Sequence, residues 1–225
     1  MVKRVSTSVP NDDREKQQVT ITAPNLHTAV FKIRGNSPYV QQKFSQKAKE
    51  QMKAKQEAGG TAKKSTKRTP KDFNQCYLDA MYTPSKSKWP NGAIPATAIK
   101  AAMIAACRLV DFKMTEAKQC VYVKADDFDK DEGIPLIPIT KGKPHKFEQA
   151  LRVANGNPDI RIRPMWDPGW EAVVSIEYDA DRFTLEDVAN LLLRAGKQVG
   201  IGEGRQASRM CAGLGWGAFS IASAK

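Results

Sequence analysis

The sequence is poor in the residues that most often carry out chemistry. It has two histidines, His27 and His145, and four cysteines, Cys76, Cys107, Cys120 and Cys211, with no C-x-x-C pair among them. That spacing fits neither a zinc site nor a small-protein disulfide framework, and it predicts four reduced thiols and no bound metal. Long apolar runs are missing as well. Nothing approaches the roughly 20 residues that span a bilayer, and "MVKRVSTSVPNDDREKQQ" lacks the apolar centre of a signal peptide. The expectation is a cytoplasmic protein with no membrane partner. No G-x-x-x-x-G-K-[ST] occurs either, so a P-loop is excluded.

Acidic residues are in the minority: 24 Asp and Glu face 36 Lys and Arg, a net charge of +12. A basic chain of this kind has a polyanion as its first candidate partner. The charge is concentrated. Residues 41–71, "QQKFSQKAKEQMKAKQEAGGTAKKSTKRTPK", hold ten Lys or Arg against two Glu, about two-thirds of the excess. The first half of this stretch can form a helix, while the second half has the composition of a mobile segment. A solvated linker and a functional basic arm both remain open.

The organisation is that of a polar N-terminal arm, residues 1–19, followed by one domain over 20–225 with a basic insertion at about 36–90. Alternation in "QQVTITAPNLHTAVFKIRG" predicts a strand through Val30 to Ile33. "GAIPATAIKAAMIAACRLV" predicts a buried helix, with Pro95 in its first turn and Thr97 helping to satisfy its start. Strands are expected in "AKQCVYVKADDF" and "GIPLIPIT", and "DIRIRPMW" and "EAVVSIEYDA" are expected to pair through "DPG". Arg161 and Arg163 then share the face opposite the buried one. "TLEDVANLLLRAGKQVG" reads as a helix with Thr184 as N-cap, Asp187 three residues on and a stop at Gly196.

The glycine-rich stretch "GIGEGRQASRMCAGLGWGAFSI" carries Gly200, Gly202, Gly204, Gly213, Gly215 and Gly217. A dinucleotide fingerprint needs its glycines between a strand and a helix, whereas these follow a helix and precede a closing strand. Arg205 and Arg209 within the run leave a role at a polyanion, and Trp216 is expected to pack the last strand. "DFDKDEG" imitates a calcium loop, but glycine and glutamate are misplaced, so it reads as an acidic surface turn. Neither His27 nor His145 sits in a recognisable acid–base constellation, and His145 is expected in an exposed basic loop. Tyr39, Phe44, Trp89, Trp166, Trp170 and Trp216 lie near basic residues, where stacking on bases and packing in a core are both open.

Two stretches carry a resemblance. "AIPATAIKAAMIAACR", through Ile94, Pro95, Ala96, Ile99, Lys100 and Arg108, resembles the "IPGSSLKGALR" signature of the RAMP superfamily, which includes the backbone subunits of CRISPR effector complexes. The C-terminal glycine run is similar to that superfamily's glycine-rich loop. The resemblance implies an enlarged ferredoxin-like or RRM-like α+β fold, with two main helices and a long insertion after the first strand. It also implies subunits that stack along single-stranded nucleic acid, in a bacterium or a phage-infected cell. Lys100 would face the nucleic-acid backbone, and the glycine loop would bind by close backbone approach. Ala96 and Ala101 replace the family's glycines, and no counterpart of its RNA-cutting aspartate is found.

The expected function is therefore non-catalytic binding of single-stranded RNA or DNA by a self-assembling protein that needs no cofactor. The phosphate contacts are assigned to the sheet face and the basic arm, through Arg34, Lys43, Lys47, Lys63, Lys64, Lys67, Arg68, Lys100, Arg161, Arg163, Arg205 and Arg209. The alternatives are a metal-independent RAMP-type endoribonuclease using His27 or His145, and a basic structural or assembly protein of a virus.

Overall fold

Strict alternation in LHTAVFKIRG makes the first strand, β1 (Leu26–Gly35): Ala29, Phe31 and Ile33 are buried, while Lys32 and Arg34 point to the other face. The computed structural model describes residues 21–57, 59, 70–152, 158–208 and 214–224. The basic insertion follows β1 as β2 (Tyr39–Val40), α1 (Gln46–Glu57) and α2 (Phe73–Asp79). Next come β3 (Ala93–Pro95), α3 (Ala96–Ala106), α4 (Met114–Cys120), β4 (Val121–Val123), β5 (Asp127–Phe128) and β6 (Pro135–Lys141). A hairpin of β7 (His145–Arg152) and β8 (Pro158–Trp166) precedes β9 (Glu171–Asp179), α5 (Leu185–Arg194) and β10 (Phe219–Ala224).

This is an α+β fold with two antiparallel sheets. The larger runs β10-β1-β9-β6-β3, with β4 also paired to β9 and β5 to β6; the smaller runs β2-β8-β7. Register places like with like. Ala29 lies opposite Ile176, Phe31 opposite Val174 and Ile33 opposite Ala172, so one face of the large sheet is continuously apolar. Ile99 and Met103 of α3 and Val188 and Leu192 of α5 complete that core. Each large apolar side chain buried there contributes about 1.5–3 kcal/mol.

Helix boundaries follow local chemistry, with two departures from expectation. Thr184 and Asp187 form a reciprocal capping box at the start of α5. At its end the helix does not stop at Gly196 but continues as a π turn to Val199, and Gly200 at φ 75° ends it. Gly196 serves packing instead, since a Cβ there would lie 2.2 Å from the Phe219 carbonyl oxygen. At α3, Pro95 occupies the N-cap position without a side-chain hydrogen bond, so Thr97 does not cap it. The stretch 117–128 is only partly strand, because α4 occupies its first four residues and the chain becomes extended at Val121.

The expected pairing of 159–166 with 171–180 is not formed. β8 is flanked by β7 and β2, and β9 by β1 on one edge and β4 and β6 on the other, so neither strand has an edge left for the other. The turn between them is the joint of the two sheets. Trp166 and Trp170 are wholly buried on either side of it, with the Tyr39 ring 5.1 Å and 5.6 Å from them. Each indole donates to a different backbone carbonyl, Trp166 to Asn91 at 2.7 Å and Trp170 to Ser37 at 3.1 Å. Anchoring two large rings to separate segments sends the strands apart.

"DFDKDEG" is a turn at the surface, with Phe128, Lys130, Asp131, Glu132 and Gly133 exposed, but two of its carboxylates point inward. Asp127 and Asp129 are buried. Asp127 accepts hydrogen bonds from the Ser85 hydroxyl and the amides of Lys86, Ser87 and Phe128. Asp129 accepts from the Lys43 ammonium at 2.8 and 2.9 Å and from the amides of Thr83, Asp131 and Glu132. Burial pushes both carboxyls up, but these donors outweigh it and hold both below the usual carboxylate range. The turn pins the end of the basic insertion to β5.

Candidate nucleic-acid interface

The β7–β8 hairpin sets Phe147 opposite Arg163 and Gln149 opposite Arg161, so these four side chains share one face. The segment 145–149 is thus strand rather than the expected basic loop. The opposite face carries Ile162, which is buried, and Ile160, which is exposed, so the buried face expected from "DIRIR" is found at Ile162 alone; α2 packs against β8.

The glycine-rich loop lies on the arginine-bearing face. Its shape depends on glycine at several points: Gly202 and Gly217 have φ of 78° and 67°, and a Cβ at Gly217 would lie 1.8 Å from the Ile201 oxygen. The loop is fastened by hydrogen bonds from Gly217 N to the Pro38 carbonyl at 2.6 Å and from Glu203 N to the Val40 carbonyl at 2.9 Å. The close backbone approach expected of these glycines toward a nucleic acid is therefore made toward the chain itself. Gly204, Gly200 and Gly215 also have positive φ; Gly213 and Arg209 lie outside the described residues.

Fixing Glu203 in this way puts its carboxylate against the hairpin. Arg163 Nε donates to it at 2.9 Å, and Arg161 Nη1 stands 3.7 Å from its other oxygen. Arg161 is also 3.8 Å from Asp159, whose carboxyl is held below its usual range by Lys71 first, then by Arg161 and Arg163. Beside these groups the rings of Phe147 and Trp216 meet edge to face, with centroids 5.4 Å apart and planes at 90°. Trp216 is half-buried and packs on Gly204, where a Cβ would come within 2.3 Å of the ring, rather than on the last strand as expected. Arg205 is exposed, its guanidinium donating to the Gly202 carbonyl at 3.2 Å, and among the described residues it has no carboxylate partner.

The resulting surface holds three guanidinium groups, one loop carboxylate and two partly exposed aromatic rings. Planar guanidinium groups bind phosphate oxygens in pairs, and ring faces stack bases regardless of sequence. The sequence singled out Arg161, Arg163, Arg205 and Trp216. It missed Phe147, which the run HKFEQALR puts on the same strand face as Gln149, and Glu203, which sits inside the glycine run with no pattern of its own to mark it.

Other expected contact residues are placed elsewhere. Lys43 is a correction: its ammonium is enclosed by Asp129 and by Asp131 at 2.6 Å, so it is a structural cation and not a phosphate contact. Although burial works against its charge, these carboxylates raise its pKa. Lys100 stands in the helical layer with its ammonium 4.5 Å from the Tyr122 ring centroid, its pKa lowered by burial and by Lys118. Arg34 is exposed on the open sheet face, opposite Glu171. Charges on that face are largely matched: Lys32 lies 2.7 Å and Lys141 3.7 Å from Glu171, and Lys124 lies 2.9 Å from Glu177. Lys47 belongs to α1; Lys63, Lys64, Lys67 and Arg68 lie outside the described residues.

Of the remaining aromatics, Tyr39, Trp166 and Trp170 are core, Phe44 is exposed and Trp89 is half-buried. His27 meets Tyr178 edge-on, and exposed His145 has Nδ1 3.7 Å from Asp167, beyond hydrogen-bond distance. Among the described residues no group of three or more His, Cys, Asp or Glu is placed to hold a metal, and no helix is long and apolar enough to cross a membrane. Cys76, Cys107 and Cys120 are free thiols. No protein-family model matches the sequence, and no curated protein is similar to it.

Proposed function

We propose that this chain binds single-stranded RNA or DNA without cleaving it, and that the contact lies where the β7–β8 hairpin meets the glycine-rich loop. The observation that carries this reading is the perpendicular Phe147–Trp216 pair set beside Arg161, Arg163 and Arg205. Stacking and phosphate pairing are the two interactions single strands require, and here both are presented by one surface on a chain of net charge +12. The order β10-β1-β9-β6, with α3 and α5 packed on one face, supports a ferredoxin-like reading of the large sheet. With it goes the resemblance to RAMP subunits and their assembly along a strand.

The test is fluorescence anisotropy of labelled single-stranded RNA and DNA oligomers against the full chain over a salt series. Affinity should fall steeply and linearly on logarithmic axes as salt rises, and Trp216→Ala should weaken binding at every salt concentration. No binding of either polymer at low salt would sink the proposal. Incubation with labelled RNA separates the nuclease alternative: cleavage that disappears in His27→Ala or His145→Ala would replace it.

A further inference from the structure

On the helical side of the large sheet, a groove of about 760 Å³ opens between α5 and the segment that follows α3. Its apolar wall is Val110, Phe112, Phe183 and Leu191, with the two phenylalanine rings 5.2 Å apart. Arg194 and Lys197 also line it, both exposed; Arg194 Nη1 donates to the Gln198 side-chain oxygen at 3.2 Å, and among the described residues neither cation has a carboxylate partner. The two acidic influences nearby are already engaged. Asp187 closes the capping box of α5, and Glu116 lies 2.5 Å from the third cation, Arg182.

We infer that this groove is a binding site for a small amphipathic anion, with its apolar body against Phe112, Phe183 and Val110 and its carboxylate or phosphate between Arg194 and Lys197. Ligand sites typically enclose about 300–1,000 Å³, are mainly apolar, and use a few charged groups to fix orientation. The groove meets each of these conditions. Basic residues at a helix C-terminus are common because they complement the backbone dipole, but that accounts only for the charges. It does not account for Val110, 43% exposed, lining the same groove. Asn190 and Gln198 interrupt the apolar wall, which favours a compact ligand over the longer unbroken stripe a docked helix would need. The site shares no residue with the hairpin surface, so it stands independently of the proposed nucleic-acid contact.

Isothermal titration of the full chain with monomeric decanoate and with decyl phosphate tests this, with decanol as the uncharged comparison. One saturable site is expected for at least one of the anions, with decanol about tenfold weaker or more, as the loss of charged hydrogen bonds implies. Arg194→Glu combined with Lys197→Glu should produce a similar loss, and so should Val110→Asp, a change at an exposed position that preserves the fold. Trp216→Ala should leave the titration unchanged. A preference for one anion assigns the head group. Absence of saturable binding, equal binding of decanol, or indifference to both groove variants would each overturn the inference.

Discussion

Replacing Asp129 with alanine tests whether the acidic turn is a structural hub. The side chain is buried and serves the Lys43 ammonium and three backbone amides, so its removal strands several donors at once. Removing one partner of a buried ion pair costs about 3–5 kcal/mol, because a buried charge is left without compensation. Here Asp131, 2.6 Å from the same ammonium, retains part of that compensation and places the expected loss near the lower end. Set against a total stability of about 5–15 kcal/mol, that is a large fraction.

Urea unfolding followed by circular dichroism should show a clear drop in midpoint with an unchanged slope. Lys43→Met should cost less, since Asp129 keeps its amide donors. The double variant should lose less than the sum of the singles, with a coupling of about 0.5–3 kcal/mol. A loss below about 1 kcal/mol for Asp129→Ala, the value of an exposed pair, would refute the argument.

The remaining expectations concern acid, the loop and the binding surface. Asp127 and Asp129 are both held below the usual carboxylate range, so their contribution is fully present above the unfolded value of about 4 and is lost as pH falls further through the folded values. The urea midpoint should therefore fall below about pH 4, and Asp129→Ala should show a shallower decline. Gly217→Ala should destabilise by at least about 1–3 kcal/mol from backbone strain alone, on top of the clash with Ile201. Gly215→Ala has the same sign of φ but open space around it, and its thermal shift should be smaller. Trp216→Ala should cost about 1–3 kcal/mol of single-strand affinity with little change in salt slope, whereas Arg205→Ala should reduce that slope by about one. Thr184→Ala should cost about 1 kcal/mol by loss of the cap, measured by thermal unfolding.

Local signals were the most readable part of the sequence. The period of β1, the Thr184–Asp187 box and the shared face of Arg161 and Arg163 follow from residues a few positions apart, and each is found. The partner of β8 was not readable nearby. Turn chemistry at "DPG" suggested a hairpin, but burial of Trp166 and Trp170 at a joint between sheets overrode it. Lys43 misled for a related reason. It looked like one of ten equivalent cations in 41–71, and only the contact with Asp129, 86 positions away, distinguishes it. Glu203 has no local pattern to distinguish it within the glycine run, and Phe147 sits in the polar stretch "KGKPHKFEQ", whose composition resembles a basic loop.

The position of β1 constrains how the fold can be reached during synthesis. Its two neighbours in the sheet are β9 and β10, so Phe31 and Ile33 have no strand partner until residues 171–179 have been made, and the second edge of β1 stays open until β10 follows. The fastening of the glycine loop is equally late, with the Ala218 amide bonded to the Ser37 hydroxyl 181 positions earlier. Contacts of such separation make folding slow, and an unpaired apolar strand is an aggregation hazard while it waits. Nascent β1 therefore needs cover, and ribosome-bound chains truncated before residue 171 should be more prone to aggregation and chaperone binding than chains carrying residues through 224.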